Sequence, residues 1–129
     1  MTVPSALARK LTIKPGLRVV MLNAPDGAIE ALDPLPDDVR LTAEASETPA
    51  DVVVVFARDA AAVDAWLPRA LAAGTDSCVL WVAYPKGGAK AGTDINRDIL
   101  HARLGERGLT GVSLVAYDGQ WSAMRFRTS

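Results

Sequence analysis

The chain has 129 residues, half of them hydrophobic, which suits one domain with a buried core and hardly allows two. With 14 basic against 15 acidic residues the formal charge is −1, so the global electropositive surface of a DNA- or RNA-binding protein is missing. No segment reaches the ~20 continuous apolar residues of a membrane helix, and Met1 to Lys10 lacks the apolar stretch of a secretory leader. Cys78 is the only cysteine and His101 the only histidine, which excludes an internal disulfide and a zinc site built on those residue types. A soluble, cytoplasmic protein of one domain, 1–129, is the expectation that remains.

In chain order, Ser5 to Leu11 is predicted to be a short helix, with Leu7 and Leu11 on one face. Lys14-Pro15-Gly16 is a turn. Arg18 to Asn23 is a continuous apolar run bounded by turn residues, which suits a strand covered on both faces of a parallel sheet. Ala24-Pro25-Asp26-Gly27 leads into a short helix through Ile29 and Leu32, closed by Pro34 and Pro36. Val39 to Ala43 is a weaker strand, expected near an edge, and Ser46 to Pro49 is a polar loop.

Asp51 to Ala57 is the strongest strand: its β-branched run has no polar alternation, so both faces should be buried. Asp59 can cap the next helix. There Val63, Trp66, Leu67, Ala70 and Leu71 recur at helical spacing, Pro68 should kink or split the helix, and Gly74 should stop it. Ser77 to Tyr84 is a third buried strand, which makes Trp81 and Cys78 core residues. Thr93 is a candidate N-cap for a helix running to about Arg107, with Asp94 in its first turn and Arg103 and Arg107 in its last. Gly111 to Tyr117 and Gln120 to Arg127 form a hairpin across Asp118-Gly119, a favoured pair for the type I′ turn; Ala116 should then face Trp121, and Leu114 should face Ala123. Strands alternating with helices imply a three-layer Rossmann-like α/β domain, with a mainly parallel sheet closed by a C-terminal antiparallel β-hairpin.

Four segments carry a family likeness: Leu11 to Gly16, Asp51 to Phe56, Trp81 to Lys86 followed by Gly92-Thr93-Asp94 and Asp98, and Asp118 to Ser122 with Phe126. This pattern resembles a bacterial family of small Rossmann-like proteins classed as a domain of unknown function. The resemblance covers nearly the whole chain and implies a fold without an assigned activity. The order of elements also resembles class I methyltransferases, one strand–helix unit short. Those enzymes usually carry a glycine-rich acidic loop after the first strand; this chain has Asn23-Ala24-Pro25-Asp26-Gly27, with one glycine.

In a parallel α/β sheet, ligands bind beyond the carboxyl ends of the strands, at the switch in strand order. Candidates there are Asn23, Asp26 and Gly27 after the first strand, Arg58 with Asp59 after the second buried strand, and Trp121 on the returning strand. The loop from Pro85 to Asp94 is the most suggestive, because Lys86, Gly88, Lys90, Thr93 and Asp94 would lie beside a helix N-terminus that attracts anions. Gly87 and Gly92 have P-loop spacing, but Thr93 follows where the lysine is required, so the P-loop is discarded. Plainer readings stand beside each candidate: a flexible loop with solvated lysines, capping side chains at Asn23 and Asp59, packing at Trp121. His101, with no partner at ligand spacing and no Gly-x-Ser-x-Gly elbow in the chain, reads as a surface or half-buried helix residue.

The first functional reading is a non-catalytic Rossmann-like module that binds a small anionic molecule or a protein partner, with no metal, nucleic acid or membrane and no required cofactor. The second is a divergent methyltransferase using adenosylmethionine, or another nucleotide-cofactor enzyme, in which Lys86 with Asp94 or Asp98 does acid–base work. An open crevice lined by Asn23, Arg58, Lys86 and Asp94 would favour a ligand. One plugged by Trp121 or Tyr84 would favour a structural role.

Overall fold

The computed structural model describes residues 4–44 and 47–128. Its elements are a short helix α1 (Ala6–Lys10), strand β1 (Arg18–Leu22), a 3-10 turn (Glu30–Leu32), β2 (Arg40–Thr42), β3 (Ala50–Phe56), helix α2 (Ala60–Ala73), β4 (Gly74–Pro85), a second 3-10 turn (Gly88–Ala91), α3 (Arg97–Gly105), β5 (Leu109–Ala116) and β6 (Trp121–Thr128). The strands form one sheet in the order β2-β1-β3-β4-β6-β5. β2, β1, β3 and β4 pair in parallel, and β6 alone runs against its neighbours β4 and β5. This is the mainly parallel, hairpin-closed sheet expected from the alternation of elements, with the weak second strand at one edge.

β3 shows why the chain folds this way. Val52, Val54 and Phe56 face one side and Val53 and Val55 the other, all at most 2% exposed. The first set joins Leu11, Met21, Leu32 and Trp81 in the core under α1; the second joins Val63, Leu67, Leu100 and Leu104 under α2 and α3. Each such side chain contributes about 1.5–3 kcal/mol on burial, so a strand apolar on both faces is stable only between two helical layers. The buried indole N–H of Trp81 donates to Leu11 O at 3.0 Å, which fastens the end of α1 to the sheet.

Several local expectations are corrected. α2 runs unbroken through Pro68; both Pro68 and Asp64, whose carbonyl loses its helical donor, are exposed, so water can take that donor's place. Trp66 is half-buried under the Arg69 guanidinium, 4.9 Å from its ring, and Leu71 is 45% exposed, so the apolar stripe of α2 is narrower than its spacing suggests. Cys78 is half-buried rather than enclosed, and burial pushes its thiol pKa up. β4 starts at Gly74, immediately after α2, with a register shift before Val79. A Cβ at Gly74 would come within 2.4 Å of Cys78 Sγ, so glycine there permits the close approach; its backbone is extended at φ −107°, which any residue adopts, so the helix end itself does not require it.

The third helix is shorter than predicted. Asn96, not Thr93, caps it by accepting from Ile99 N at 2.9 Å, and it ends at Gly105. Asp94 therefore lies before the helix rather than in its first turn.

The hairpin register is one residue from expectation: Ala116 pairs with Ser122, and Leu114 with Met124. A type I′ turn needs positive φ at both central residues, and neither Asp118 nor Gly119 has it. The Asp118 carboxylate instead accepts from the N–H groups of Gln120 and Trp121, both at 2.8 Å. Tyr117 N–H donates to Trp121 O at 2.9 Å, closing a longer loop. The resulting alternation turns Tyr117 and Trp121 onto the same side of the sheet as Phe56.

Candidate functional site

The strand order reverses between β1 and β3, because β2 lies on one side of β1 and β3 on the other. A ligand is expected beyond their carboxyl ends, and this gap is closed by the chain itself. Asn23, at φ 56°, donates from Nδ2 to Phe56 O at 2.9 Å, joining the end of β1 to the end of β3. Tyr117 OH donates to Ala28 O. Tyr117 and Trp121 both pack edge-on against Phe56, with ring centres 5.1 and 5.2 Å away. Burial is the main cause that raises the Tyr117 phenol far above its usual range, which keeps it a neutral donor. Asp26 is exposed; Gly27, at φ 84°, has open space where a Cβ would be, so it serves the turn rather than a close approach to another group.

The next gap along the same edge is open. A cleft of about 570 Å³ lies over the ends of β3, β4 and β6. Arg58 and Asp59 enter it from the end of β3, Pro85 and Lys86 from β4, Gly92 and Thr93 from the following loop, and Gly119, Gln120 and Trp121 from the hairpin. Trp121, 5% exposed, forms its floor, with the Arg58 guanidinium 5.5 Å from its ring centre, a cation–π distance. Lys86 N–H donates to Gln120 O at 2.9 Å, so the loop after β4 is tied to the hairpin. Arg58 and Lys86 are exposed cations, and Asp59 is the one carboxylate in the lining.

The predicted anion site at a helix N-terminus takes a different form. Thr93 lies against the segment between β3 and α2, where its hydroxyl donates to Arg58 O at 2.5 Å and accepts from Ile95 N at 3.2 Å. Asp94 Oδ1 accepts from Ala60 N at 2.9 Å, and Asp59 Oδ1 from Ala62 N at 2.8 Å. Two carboxylates thus hold the first turn of α2, and Asn96 holds that of α3, so the ends nearest the loop already have their anionic or polar caps. Gly88 belongs to a neighbouring cleft of about 480 Å³ shared with Lys86, Asn96 and Arg97; Lys90 lines neither.

Of the ten sequence candidates, the open cleft gathers Arg58, Lys86, Thr93 and Trp121. Asn23, Asp26 and Gly27 stand apart at the closed gap, and Asp94 is held as a cap. Tyr84 is buried with the α2–α3 core and does not plug the cleft. Gln120 was missed, because its place depends on the one-residue shift of the hairpin; Pro85, expected to open the following loop, is the last residue of β4. Among the described residues, no group of three or more histidine, cysteine or acidic side chains is placed to hold a metal, and no helix is long and apolar enough to cross a membrane.

The sequence matches no family model and no curated protein. Its fold is similar to that of solved methyltransferases. The structure of DhpI with SAH superposes with a TM-score of 0.61 at 13% identity, covering 96% of this chain and 82% of that one. A TehB-like SAM-dependent methyltransferase from Corynebacterium glutamicum gives 0.60 at 13% identity, covering 95% and 87%. A ribosomal protein L11 methylase from Lactobacillus delbrueckii subsp. bulgaricus gives 0.59 at 10% identity, covering 95% and 75%. At these identities the likeness establishes the methyltransferase-like Rossmann fold.

Proposed function

We propose that this chain is a divergent member of the methyltransferase fold that binds adenosylmethionine, or its product adenosylhomocysteine, in the cleft over β3, β4 and β6. The observation that carries this reading is the cleft itself: an opening at the carboxyl edge of the sheet, with an indole floor and two cations beside one carboxylate. Its residues fit such a ligand by class. Arg58 and Lys86 complement the carboxylate of the methionyl end and Asp59 its ammonium group, while Trp121 backs the Arg58 guanidinium from the floor.

The gap between β1 and β3 does not fit. Its one glycine, the Asn23–Phe56 bridge and the packed aromatic rings leave the backbone without a cradle for a ligand. When bound, adenosylmethionine supplies an electrophilic methyl group on sulfur. The chain's own contribution is to bind and orient: the cations fix one end, and the Lys86–Gln120 tie holds two walls of the cleft together.

A second reading rests on the same two cations: a small anion, such as a sugar phosphate, bound without turnover. Titration calorimetry with adenosylmethionine, adenosylhomocysteine, ATP and ribose 5-phosphate separates the two. Binding of the first two compounds, lost in Arg58→Ala/Lys86→Ala, is expected. Binding of only the phosphates supports the second reading, and no heat from any compound near a millimolar contradicts both.

A further inference from the structure

The amino edge of the sheet, opposite the proposed cleft, holds an arginine without a partner. Arg125 sits in the middle of β6, opposite Trp81 on β4 and Ser113 on β5. Trp121 and Ala123 on the same strand bury into the core under α1, and Arg125 continues their row to where α1 has ended. It is partly buried, its Nε–H is shut off from solvent, and that N–H meets no acceptor. Among the described residues the Arg125 side chain makes no hydrogen bond and no ion pair. A desolvated guanidinium N–H left unmade is costly, and arginine in such a place normally has a carboxylate or phosphate against it.

Two clefts meet at this side chain. One, of about 350 Å³, extends towards Thr12 and Lys14; the other, of about 270 Å³, extends towards Arg127. Both are lined by the hydroxyl-bearing residues Thr75 and Ser77. The neighbouring carboxylates do not serve the arginine: Asp51 accepts from Arg18 N at 2.9 Å, and Asp76 is exposed. Lys14, Arg125 and Arg127 outnumber them, so the groove is net positive. Thr12 adds a second oddity. It follows the C-cap of α1 at φ 62°, a left-handed conformation usually left to glycine, and it lines the groove while its hydroxyl donates to Leu11 O.

We propose that this groove binds a small oxyanion, the phosphate or carboxylate group of a metabolite, with Arg125 as its principal donor and the hydroxyl groups of Thr75 and Ser77 beside it. The ligand fills the missing acceptor of Nε–H. The site lies at the opposite end of the strands from the cleft of the proposed function and does not depend on that reading.

The Nε–H of an arginine has its own resonance in a proton–nitrogen spectrum, so the orphaned atom can be watched directly. The ¹⁵N-labelled full chain is titrated with inorganic phosphate in one arm and malonate in another, with sodium chloride at matched ionic strength as control. The Arg125 signal is assigned by its loss in Arg125→Lys. A saturable shift of that signal with either oxyanion, absent with chloride and unchanged in Arg58→Ala/Lys86→Ala, is the expected result, and the responding arm identifies the anion. In Arg125→Met the affinity of that anion should fall roughly tenfold or more. No saturable shift in either arm, a response equal to that with chloride, or one abolished by Arg58→Ala/Lys86→Ala overturns the proposal.

Discussion

Two gaps lie side by side on the carboxyl edge of this sheet, and only one is open. Between β1 and β3, where the strand order reverses, an asparagine bridges the strand ends and Tyr117 and Trp121 close over Phe56. Between β3, β4 and β6, Trp121 is again part of the lining, as the floor, and exposed Arg58 and Lys86 border a cleft of about 570 Å³. The general rule for α/β sheets names the edge and favours the first gap. Side-chain size and hydrogen bonding decide otherwise here. One tryptophan fills one gap and floors the next, so closure of the first and shape of the second are linked.

Breaking Trp121 should therefore have the largest effect. Trp121→Ala is expected to cost about 3–5 kcal/mol in urea unfolding, the usual range for removing a buried tryptophan, and to weaken ligand binding in the cleft. A cost near zero would show that the ring does not hold the first gap closed.

Asn23→Ala comes next, at about 2 kcal/mol. It loses the bond to Phe56 O, worth about 1 kcal/mol, and places alanine in a left-handed conformation that costs about 1 kcal/mol more. Asn23→Gly should recover the second part, and neither variant should alter affinity in the open cleft. If binding falls with Asn23, the two gaps form one site.

Tyr117→Phe should cost about 1 kcal/mol near neutral pH through the lost bond to Ala28 O. Its pH signature is sharper. Burial raises the phenol's pKa in the folded chain, so the unfolded chain ionises first, near pH 10, and that ionisation favours unfolding. The tyrosine's contribution is complete below about pH 10 and is lost as pH rises above it. Urea midpoints at pH 8 and 11 should therefore converge between wild type and Tyr117→Phe. A gap that stays constant would mean the phenol is not buried as described.

The smallest effect on stability belongs to the residues most important for the proposed function. Arg58→Ala/Lys86→Ala should change the unfolding free energy by less than about 1 kcal/mol, since both side chains are exposed and form no salt bridge among the described residues, yet remove ligand binding. A large loss of stability would make them structural.

The sheet was legible in the sequence where one signal dominates. Asp51-Val52-Val53-Val54-Val55-Phe56 has no polar alternation and therefore needs two covering layers, and it lies where that requires. Legibility failed where two side chains could do one job. Thr93 and Asn96 are both N-cap residue types three positions apart, and Thr93 was drawn away by the carbonyl of Arg58, just past β3, a partner far off in sequence. Asp118-Gly119 can make a two-residue turn, but burying Tyr117 and Trp121 on one face requires the longer loop. The site followed the same pattern. The residue types at the carboxyl edge could be read, while the open gap depended on that hairpin register. Arg125 gave no sequence signal, because its isolation appears only once its neighbours are in place.

Under the proposed function the ligand enters the second gap and not the first. A titration of the ¹⁵N-labelled chain with adenosylhomocysteine tests it most directly. Saturable shifts of the Trp121 indole N–H and of the backbone amides of Arg58, Lys86, Gly92 and Gln120, with Asn23, Asp26 and Gly27 unmoved, are predicted. Shifts centred on Asn23 to Ala28, or none at millimolar ligand, would contradict it.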